Sequence, residues 1–257
     1  MTMNTVLNKK QTVLKLFGCA IFFLMFGVGC APSNGSMKLP EKISFTTSDH
    51  VIIVGDYYQS AVSSNRCILM LHMMPETRAS WRPLAEELVK ADVNVLAIDE
   101  RGHGESVKTT DGKILDYAKF SNAEQQAKII DVQAAVAWLN QKGIETKDIS
   151  LVGGSIGANL ALNFAADHPE IAKTVALAPS LDYNGVTTSE AVSKMPASQS
   201  VLFIGAKDDP QSYDSINKLA IMGKAVNMTI MYDRGGHGTY LFNSHPDAIA
   251  KIVDFLK

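Results

Sequence analysis

Residues 148–161 read Asp148-Ile149-Ser150-Leu151-Val152-Gly153-Gly154-Ser155-Ile156-Gly157-Ala158-Asn159-Leu160-Ala161, an apolar strand that runs directly into an Ala- and Leu-rich helix. A serine at such a strand-to-helix turn needs small neighbours, because a side chain at Gly153 or Gly157 would collide with the returning helix. The turn also aims the first amides of the helix at the space beside the hydroxyl, where a negatively charged tetrahedral intermediate needs donors. The stretch therefore predicts an activated nucleophile at Ser155.

Two other interpretations of this stretch exist. A G-x-S-x-G pattern occurs by chance in loops of many proteins, and Gly153-x-Ser155-x-x-Ala158 is a degraded form of the dinucleotide-binding pattern G-x-G-x-x-G. The flanking strand and helix favour a nucleophile over a chance match. The dinucleotide pattern requires glycine where Ser155 stands and normally opens a βαβ unit, so it is the weaker alternative.

Length and composition favour one globular domain. The chain has 257 residues, of which 46% are hydrophobic, and no break in composition separates two halves. One large core is therefore favoured over two small ones. The formal net charge is −2, which gives no sign of the basic face that nucleic-acid binding requires.

The first 29 residues have the pattern of a signal peptide. Three lysines precede an uncharged run, residues 16–29, which is short for a membrane-spanning helix and suits the apolar region of a signal peptide. Gly27-Val28-Gly29-Cys30 resembles a bacterial lipobox, although leucine is usual where Gly27 stands. The resemblance implies a lipid (palmitate-type) anchor on Cys30 and an exported protein tethered to a membrane of the cell envelope, on its periplasmic or extracellular face.

Alternatives to this N-terminal interpretation remain. Leu16-Phe17-Gly18-Cys19 has better lipobox residues but leaves too short an apolar region before it, and an uncleaved anchor or ordinary secretion also fits. Cleavage after residue 29 divides the chain into a signal peptide (1–29), a linker (30–40) and one domain (41–257). Cys67 then remains alone, so we expect no internal disulfide and a buried, hydrophobic role for this thiol.

Beyond the linker, the pattern is one of strands alternating with helices. Residues 42–47 and 51–58 flank Ser48-Asp49-His50 and predict an antiparallel hairpin. Short apolar strands bounded by turn residues follow at 67–71, 93–98, 148–153, 174–178, 201–204 and 228–232. This alternation is typical of an α/β fold with a mainly parallel sheet and helices on both faces.

Three of the predicted helices have clear boundaries or faces. One spans about 80–90, and a long one begins at the S-x-x-E capping pattern of Ser121 and Glu124 and ends near Gly143. The last spans about 246–256 and has its apolar residues on one side.

A serine hydroxyl needs a base to take its proton, so a histidine at a strand end is expected. His237 lies in Arg234-Gly235-Gly236-His237-Gly238, just after the predicted last strand, where its ring can reach over the edge of the sheet. His103, also between glycines, is the strongest rival, but its charged neighbours suggest a loop held by its own polar contacts. His168 and His245 precede prolines and are expected to be solvated, and His50 is a turn residue.

The acid that orients the imidazole is expected at the end of the preceding strand. Asp208 and Asp209 both lie there, and we favour Asp208 because Asp209-Pro210 has the pattern of a helix start with Asp209 as its cap. Asp182, which follows an earlier strand, is the third candidate.

Several separated motifs resemble those of α/β-hydrolases, close to the serine esterase, monoglyceride-lipase and dienelactone-hydrolase branches. They are the Ser155 turn, the chain order Ser155, Asp208, His237, the segment Leu71-His72-Met73-Met74-Pro75 followed by Ser80-Trp81-Arg82-Pro83-Leu84-Ala85, and Ile98-Asp99-Glu100-Arg101-Gly102-His103-Gly104-Glu105-Ser106. The resemblance covers residues 43–256. It implies the α/β-hydrolase fold, and it makes 98–106 a structural loop, which agrees with a plain role for His103.

The same resemblance makes 71–75 the oxyanion loop. It implies that the oxyanion donors are the backbone amides of Ile156 and of Met74, or alternatively Met73. The family usually has glycine where Met73 stands. A backbone donor tolerates methionine, but that side chain would narrow the pocket and line it with a flexible apolar group.

The sequence thus predicts a serine hydrolase that works through an acyl-enzyme, with Ser155 as nucleophile, His237 as base and Asp208 holding the imidazole. About twenty residues separate the strands near 178 and 200, where many lipases insert a lid. This minimal lid favours a small-molecule substrate, a small or short-chain ester. No metal or cofactor is expected, since no clustered His/Cys spacing is present.

Other functions on the same fold remain alternatives. A serine at the turn argues against the dehalogenase and epoxide-hydrolase branches, which use aspartate there. A peptidase would need an anionic anchor for a free amino terminus, for which only Glu100 and Asp182 offer themselves. A thioesterase, and a non-catalytic lipoprotein that uses the fold to bind a ligand, also stay open, because function does not follow from fold.

Overall fold

A nine-stranded mixed sheet runs through the part of the chain that the computed structural model describes, residues 38–257. The strands, including a separate two-stranded hairpin formed by the eighth and ninth, are β1 (Glu41–Thr46), β2 (Val51–Tyr58), β3 (Cys67–Leu71), β4 (Asn94–Ile98), β5 (Lys108–Thr109), β6 (Ile149–Gly154), β7 (Lys173–Leu177), β8 (Asp182–Tyr183), β9 (Val186–Thr187), β10 (Ser200–Ala206) and β11 (Val226–Tyr232). The helices are α1 (Arg82–Lys90), α2 (Asn122–Gln126), α3 (Ile129–Gln141), α4 (Ile156–Asp167), α5 (Ser189–Lys194), α6 (Pro210–Leu219), α7 (Leu241–Ser244) and α8 (Asp247–Leu256).

The strand order of the sheet is β1-β2-β4-β3-β6-β7-β10-β11, with β5 paired to β2. β2 is antiparallel to β1, β4 and β5, and all pairs from β4 to β11 are parallel. The predicted α/β fold with an N-terminal antiparallel hairpin is therefore confirmed. Because parallel strands end at the same edge, the loops after β3, β6, β10 and β11 meet there.

The core consists of two apolar clusters, one on each face of the sheet. Along β3 the residues alternate between them, because successive side chains of a strand point to opposite faces: Leu69 packs with α3, α4 and α6, whereas Met70 packs with α1 and α8. Cys67 is fully buried with a free thiol, as predicted, and burial raises the pKa of that thiol. Helices thus cover both faces, as a buried parallel sheet requires.

Two elements differ from the sequence-based expectation. The long helix expected from Ser121 to Gly143 is split at residues 127–128 into α2 and α3, and Asp131 there bonds back three residues to the carbonyl of Lys128, which marks a tighter turn. Its predicted capping box is present, with Ser121 and Glu124 each accepting from the other's backbone N–H. β11 was expected to be covered on both faces, but it is the edge strand and Val226 and Met228 are exposed.

The predicted signal peptide (1–29), the proposed lipid site Cys30 and most of the linker lie outside the described residues. The described residues, 38–257, lie within one compact unit. Among the described residues, none of the helices combines the length and the apolar character needed to cross a membrane.

Candidate active site

Ser155 occupies the sharp turn between β6 and α4. Its backbone has φ 53° and ψ −118°, a conformation that non-glycine residues rarely adopt and that places the side chain at the tip of the turn. The amide of Ser155 donates to the carbonyl of Leu177 at the end of β7, 2.8 Å away, which ties the turn to the neighbouring strand. The residue is fully buried.

The two glycines of the motif are required by close approaches of the backbone. A Cβ at Gly153 would overlap the carbonyl of Gly157 in the returning helix, as the sequence argument expects. A Cβ at Gly157 would instead overlap the carbonyls of Leu71 and His72. The second glycine therefore lets the first turn of α4 lie directly against the loop that follows β3.

His237 lies in the loop after β11, and its carboxylate partner is Asp209. The Nδ1 atom of His237 is 2.6 Å from Oδ2 of Asp209, which immediately precedes α6. The structure therefore corrects the prediction that Asp208 holds the imidazole: Asp209 makes that contact. Asp209 does stand at the predicted helix start, but its carboxylate is turned towards the histidine loop.

Asp208 contacts the same loop through its backbone. Its carboxylate accepts from the amides of Gly235 and Gly236 at 3.1–3.2 Å. These two amides supply hydrogen bonds to the carboxylate that the sequence-based prediction assigned to the His237 imidazole. Asp182, the third candidate, lies in the β8–β9 hairpin, where it accepts from the amide of Gly185.

Asp209 is set up to remain ionised. Burial raises the pKa of its carboxyl, but hydrogen bonds from His237 and Ser212 outweigh burial and lower that pKa below its usual value. Ser212 is a site residue that sequence reasoning missed: its hydroxyl, one turn into α6, is 3.4 Å from Nδ1 of His237 and 3.3 Å from the carbonyl of Ala178. The i, i+3 spacing from Asp209 is the signal that would have found it.

The oxyanion loop is held by the buried ring of His72. Its Nε2 accepts from the amide of Glu100, so the neutral ring carries its proton on Nδ1, which donates to the carbonyl of Met73 at 3.0 Å. Burial, and then the charge of Lys128, lower the pKa of His72 to about 4 and keep the ring neutral. Because the carbonyl of Met73 and the amide of Met74 belong to one trans peptide, the Met74 N–H points away from this ring.

The two predicted oxyanion donors come from adjoining segments. Ile156 is the first residue of α4, where helix geometry leaves the N–H without an intrahelical acceptor. The Met74 amide belongs to the loop against which that first turn packs through Gly157. The structure thus brings the two segments together, and the side chain of Met73 is fully buried.

Two buried polar atoms of this site have no hydrogen-bond partner within the described residues. They are Oγ of Ser155 and Nε2 of His237. Buried polar atoms are normally satisfied, and exceptions concentrate at functional sites. These two atoms are the pair between which a serine-to-histidine proton transfer would run.

A short cap, formed by the β8–β9 hairpin and α5 between residues 178 and 199, lies against α4. Asn159 of α4, which is fully buried, donates to the carbonyl of Val186 at 2.7 Å and accepts from the amide of Ser180 at 3.0 Å. Asn163 donates to the carbonyl of Thr187. The cap is thus fixed to the nucleophile helix by side-chain amides that sequence reasoning did not single out.

The remaining histidines lie outside this arrangement. His103 is buried in the loop after β4 and bonds to the carbonyl of Arg101. His168 stacks on Phe164 and is partly exposed, whereas His245, which was expected to be solvated, bonds through Nε2 to the carbonyl of Arg234 at 2.6 Å. His50 is an exposed turn residue with φ 69°.

Solved structures with the same fold include several hydrolases. The Pyrococcus furiosus esterase Pf2001 superposes with a TM-score of 0.69 at 20% identity, over 84% of this chain and 90% of that one. Dienelactone hydrolase from Anabaena variabilis gives 0.63 at 18% identity, over 84% and 95%. The α/β hydrolase GrgF from Penicillium sp. gives 0.67 at 15% identity, over 84% and 97%. The predicted α/β-hydrolase fold is confirmed.

Sequence comparison identifies the family directly. No curated protein is similar enough in sequence to serve as a relative. The family model described as Hydrolase_4, serine aminopeptidase S33, matches residues 63–233, which is more than half of the chain and spans the oxyanion loop, the Ser155 turn and both aspartates after β10. The chain therefore belongs to the serine aminopeptidase S33 (Hydrolase_4) family of α/β-hydrolases.

Proposed function

We propose that this hydrolase cleaves small or short-chain carboxylic esters through an acyl-enzyme, with Ser155 as nucleophile, His237 as general base and Asp209 as the acid that orients the ring. The observation that carries the proposal is the arrangement around His237. Its Nδ1 is 2.6 Å from an ionised carboxylate, while its Nε2 and the Ser155 hydroxyl are buried and have no hydrogen-bond partner in the part of the chain that the structure describes. A ring held at Nδ1 presents Nε2 as a base.

The chemistry follows from these roles. The Oγ–H proton of Ser155 moves to Nε2 of His237 as Oγ attacks the ester carbonyl, and the oxyanion is stabilised by the amides of Ile156 and Met74. The C–O bond to the alcohol then breaks and His237 returns the proton to the leaving oxygen. Water attacks the acyl-enzyme with the same base, which releases the carboxylic acid and restores Ser155.

Esters are favoured over peptides with a free amino terminus because the expected anchors are already engaged. Glu100 is fully buried and pairs with Lys128 at 3.3 Å, and Asp182 accepts from Gly185 within its own hairpin. The short, pinned cap leaves little length for binding a long acyl chain. Both features support a small ester substrate.

The test uses the full chain in detergent micelles, assayed with p-nitrophenyl acetate and butyrate and with alanine p-nitroanilide. We expect burst and steady-state turnover of the esters, little turnover of the anilide, and one fluorophosphonate label by intact mass. Ser155→Ala is the matched control, and it should lose both the label and the turnover.

The outcomes separate the alternatives. Equal turnover in the wild type and Ser155→Ala, with no label on either, would refute the esterase proposal and favour a ligand-binding lipoprotein. Faster turnover of the anilide than of either ester would favour a peptidase.

We also propose that Cys30 carries a lipid and tethers the enzyme to a membrane of the cell envelope. The support is the lipobox-like segment Gly27-Val28-Gly29-Cys30 after an uncharged apolar run. In a bacterial host the wild type should incorporate an alkyne-tagged fatty acid and sediment with membranes. Cys30→Ser should lose the tag, and a tag retained in that variant would contradict the proposal.

A further inference from the structure

The His237 loop has little rigidity of its own. Gly235, Gly236 and Gly238 have φ values of 158°, 71° and 56°, so three of the four positions around the histidine rely on glycine's conformational freedom. The position of the imidazole therefore depends on contacts from outside the loop. At the start of the loop, Asp208 supplies two of them and His245 bonds to the carbonyl of Arg234. Asp209 holds the ring, and at the far end of the turn Tyr240 donates to Glu76. Between these anchors, Gly238 and Thr239 directly follow the histidine and need a contact of their own.

Met73 makes that contact. Its Sδ lies 3.8 Å from the hydroxyl of Thr239 and directly beneath Gly238, where an added Cβ would overlap the sulfur. Gly238 to Tyr240 form the short 3-10 turn that begins at His237. The side chain of Met73 thus supports the turn on which the histidine stands.

The same residue also lies close to the nucleophile turn. A Cβ built at Gly154, the residue before Ser155, would lie 3.6 Å from Cβ of Met73, an ordinary van der Waals distance, and 3.5 Å from the ring of Trp81. Met73 itself is fully buried, and its carbonyl accepts from the ring of His72. This residue therefore joins the oxyanion loop, to which it belongs, to the histidine loop and lies beside the Ser155 turn.

The fit depends on Gly238 as much as on the methionine. A side chain at Gly238 would overlap the thioether sulfur, whereas a Cβ at Gly154 would make only ordinary contact with Cβ of Met73. An unbranched side chain with three rotatable bonds can thread such an irregular gap, whereas a branched one fits it less well.

We propose that Met73 is a positioning residue of the esterase, which sets the height of His237 above Ser155 by bridging the oxyanion loop to the histidine turn. The inference rests on the proposed function. It assigns the methionine a supporting role in place of the pocket-narrowing one expected from sequence, because its buried side chain packs against the turn after His237. A displacement of about 1 Å at a reacting group can cost about 10²-fold in rate, so this support matters to turnover.

The test measures kcat and KM for p-nitrophenyl butyrate, and the rate of fluorophosphonate labelling, for Met73→Ala, Met73→Leu, Gly238→Ala and the double variant Met73→Ala/Gly238→Ala. Met73→Ala should lower kcat and the labelling rate at least tenfold and change KM less than threefold. Met73→Leu should retain more activity than Met73→Ala because it keeps most of the volume. Gly238→Ala should be impaired by overlap with the sulfur, and the double variant should be several-fold more active than Gly238→Ala alone.

Leu88→Ala is the matched control for stability. Leu88 of α1 is fully buried in the core cluster that includes α8 and belongs to none of the three segments, so its truncation creates a cavity without removing the proposed support. It should lower the thermal midpoint and leave kcat within about twofold.

Three results would overturn the inference: Met73→Ala with wild-type kcat, a double variant no better than Gly238→Ala, or Leu88→Ala with the same fall in kcat as Met73→Ala. The proposed function fails differently, since it is refuted if the wild type itself is not labelled at Ser155.

Discussion

Two loops of this protein carry a histidine between two glycines, and they have opposite properties. His103, in the loop after β4, is 1% exposed and stacks on Tyr117, and its one hydrogen bond within residues 38–257 is to the carbonyl of Arg101. His237, in the loop after β11, keeps 31% of its side chain exposed and faces a carboxylate. The same Gly-His-Gly pattern thus produces a sealed structural ring in one place and a candidate base in the other.

The difference arises from what surrounds each ring. The Asp99 carboxylate at the start of the first loop accepts from the amides of Arg78 and Glu105 and pairs with the Arg78 guanidinium, and Arg101 bonds to Asp131 and Asp49. The carboxylates around this loop pair with arginines and lysines, Glu100 with Lys128 among them, and none in the described part of the chain bonds to the His103 ring. In the second loop, one aspartate holds the backbone and its neighbour is left for the ring. The flanking glycines are the same in both loops, so the role of each histidine depends on the groups that surround its ring.

The largest expected effect contrasts the two histidines directly. His237→Ala removes the base and should lower ester turnover at least about 10⁴-fold. His103→Phe keeps an aromatic ring against Tyr117 and should leave turnover per folded molecule within about threefold. Turnover is measured per folded molecule, with the folded fraction of each variant taken from its urea unfolding curve. Comparable losses of turnover in the two variants would contradict the distinction between a structural His103 and a catalytic His237.

The next effect separates the adjacent aspartates. Asp209→Asn keeps the shape but removes the charge that fixes the ring, so kcat should fall by about 10² to 10⁴-fold. Asp208→Asn retains an acceptor for the loop amides and should cost about tenfold or less. A larger loss in Asp208→Asn than in Asp209→Asn would restore the sequence-based assignment of Asp208.

The smallest effect concerns pH and stability. Burial, and then the charge of Lys128, lower the pKa of His103 to about 2, while in the unfolded chain it returns to about 6.5. Between these values the unfolded state binds the proton and the folded state does not, so stability falls as the pH falls below about 6.5.

From pH 7 to pH 5 this group should remove about 2 kcal/mol of unfolding free energy. Urea unfolding at the two pH values measures the loss, and His103→Phe should show a smaller one. If His103→Phe loses as much unfolding free energy as the wild type between pH 7 and pH 5, His103 is not a buried, neutral group in the folded protein.

Local features of the chain were predictable where the physics is local. The nucleophile turn follows from glycines that only a close backbone approach requires, and the capping box of Ser121 and Glu124 involves residues three apart. The helix break at residues 127–128 was not predictable in this way. Lys128 is buried there against Glu100 of a distant loop, and no periodicity in the helix itself encodes that partner.

The choice between Asp208 and Asp209 shows the limit most clearly. Adjacent to Pro210, Asp209 has the sequence of a helix cap, and local reasoning assigns it to that helix. Its actual partner lies 28 residues further on. The packing of Met73 could not be predicted for the same reason, because its side chain lies against Gly238, which is far away in the chain.

By itself, the sequence determined the fold class, the Ser155 turn and the position of His237 just after the last strand, because spacing, glycine requirements and strand order act over a few residues. Only the tertiary structure decided which aspartate contacts the imidazole and that the side chain of Met73 packs against the turn after His237. Those outcomes depend on which hydrogen-bond donors and empty volumes meet when loops after β3, β6, β10 and β11 converge at one edge of the sheet.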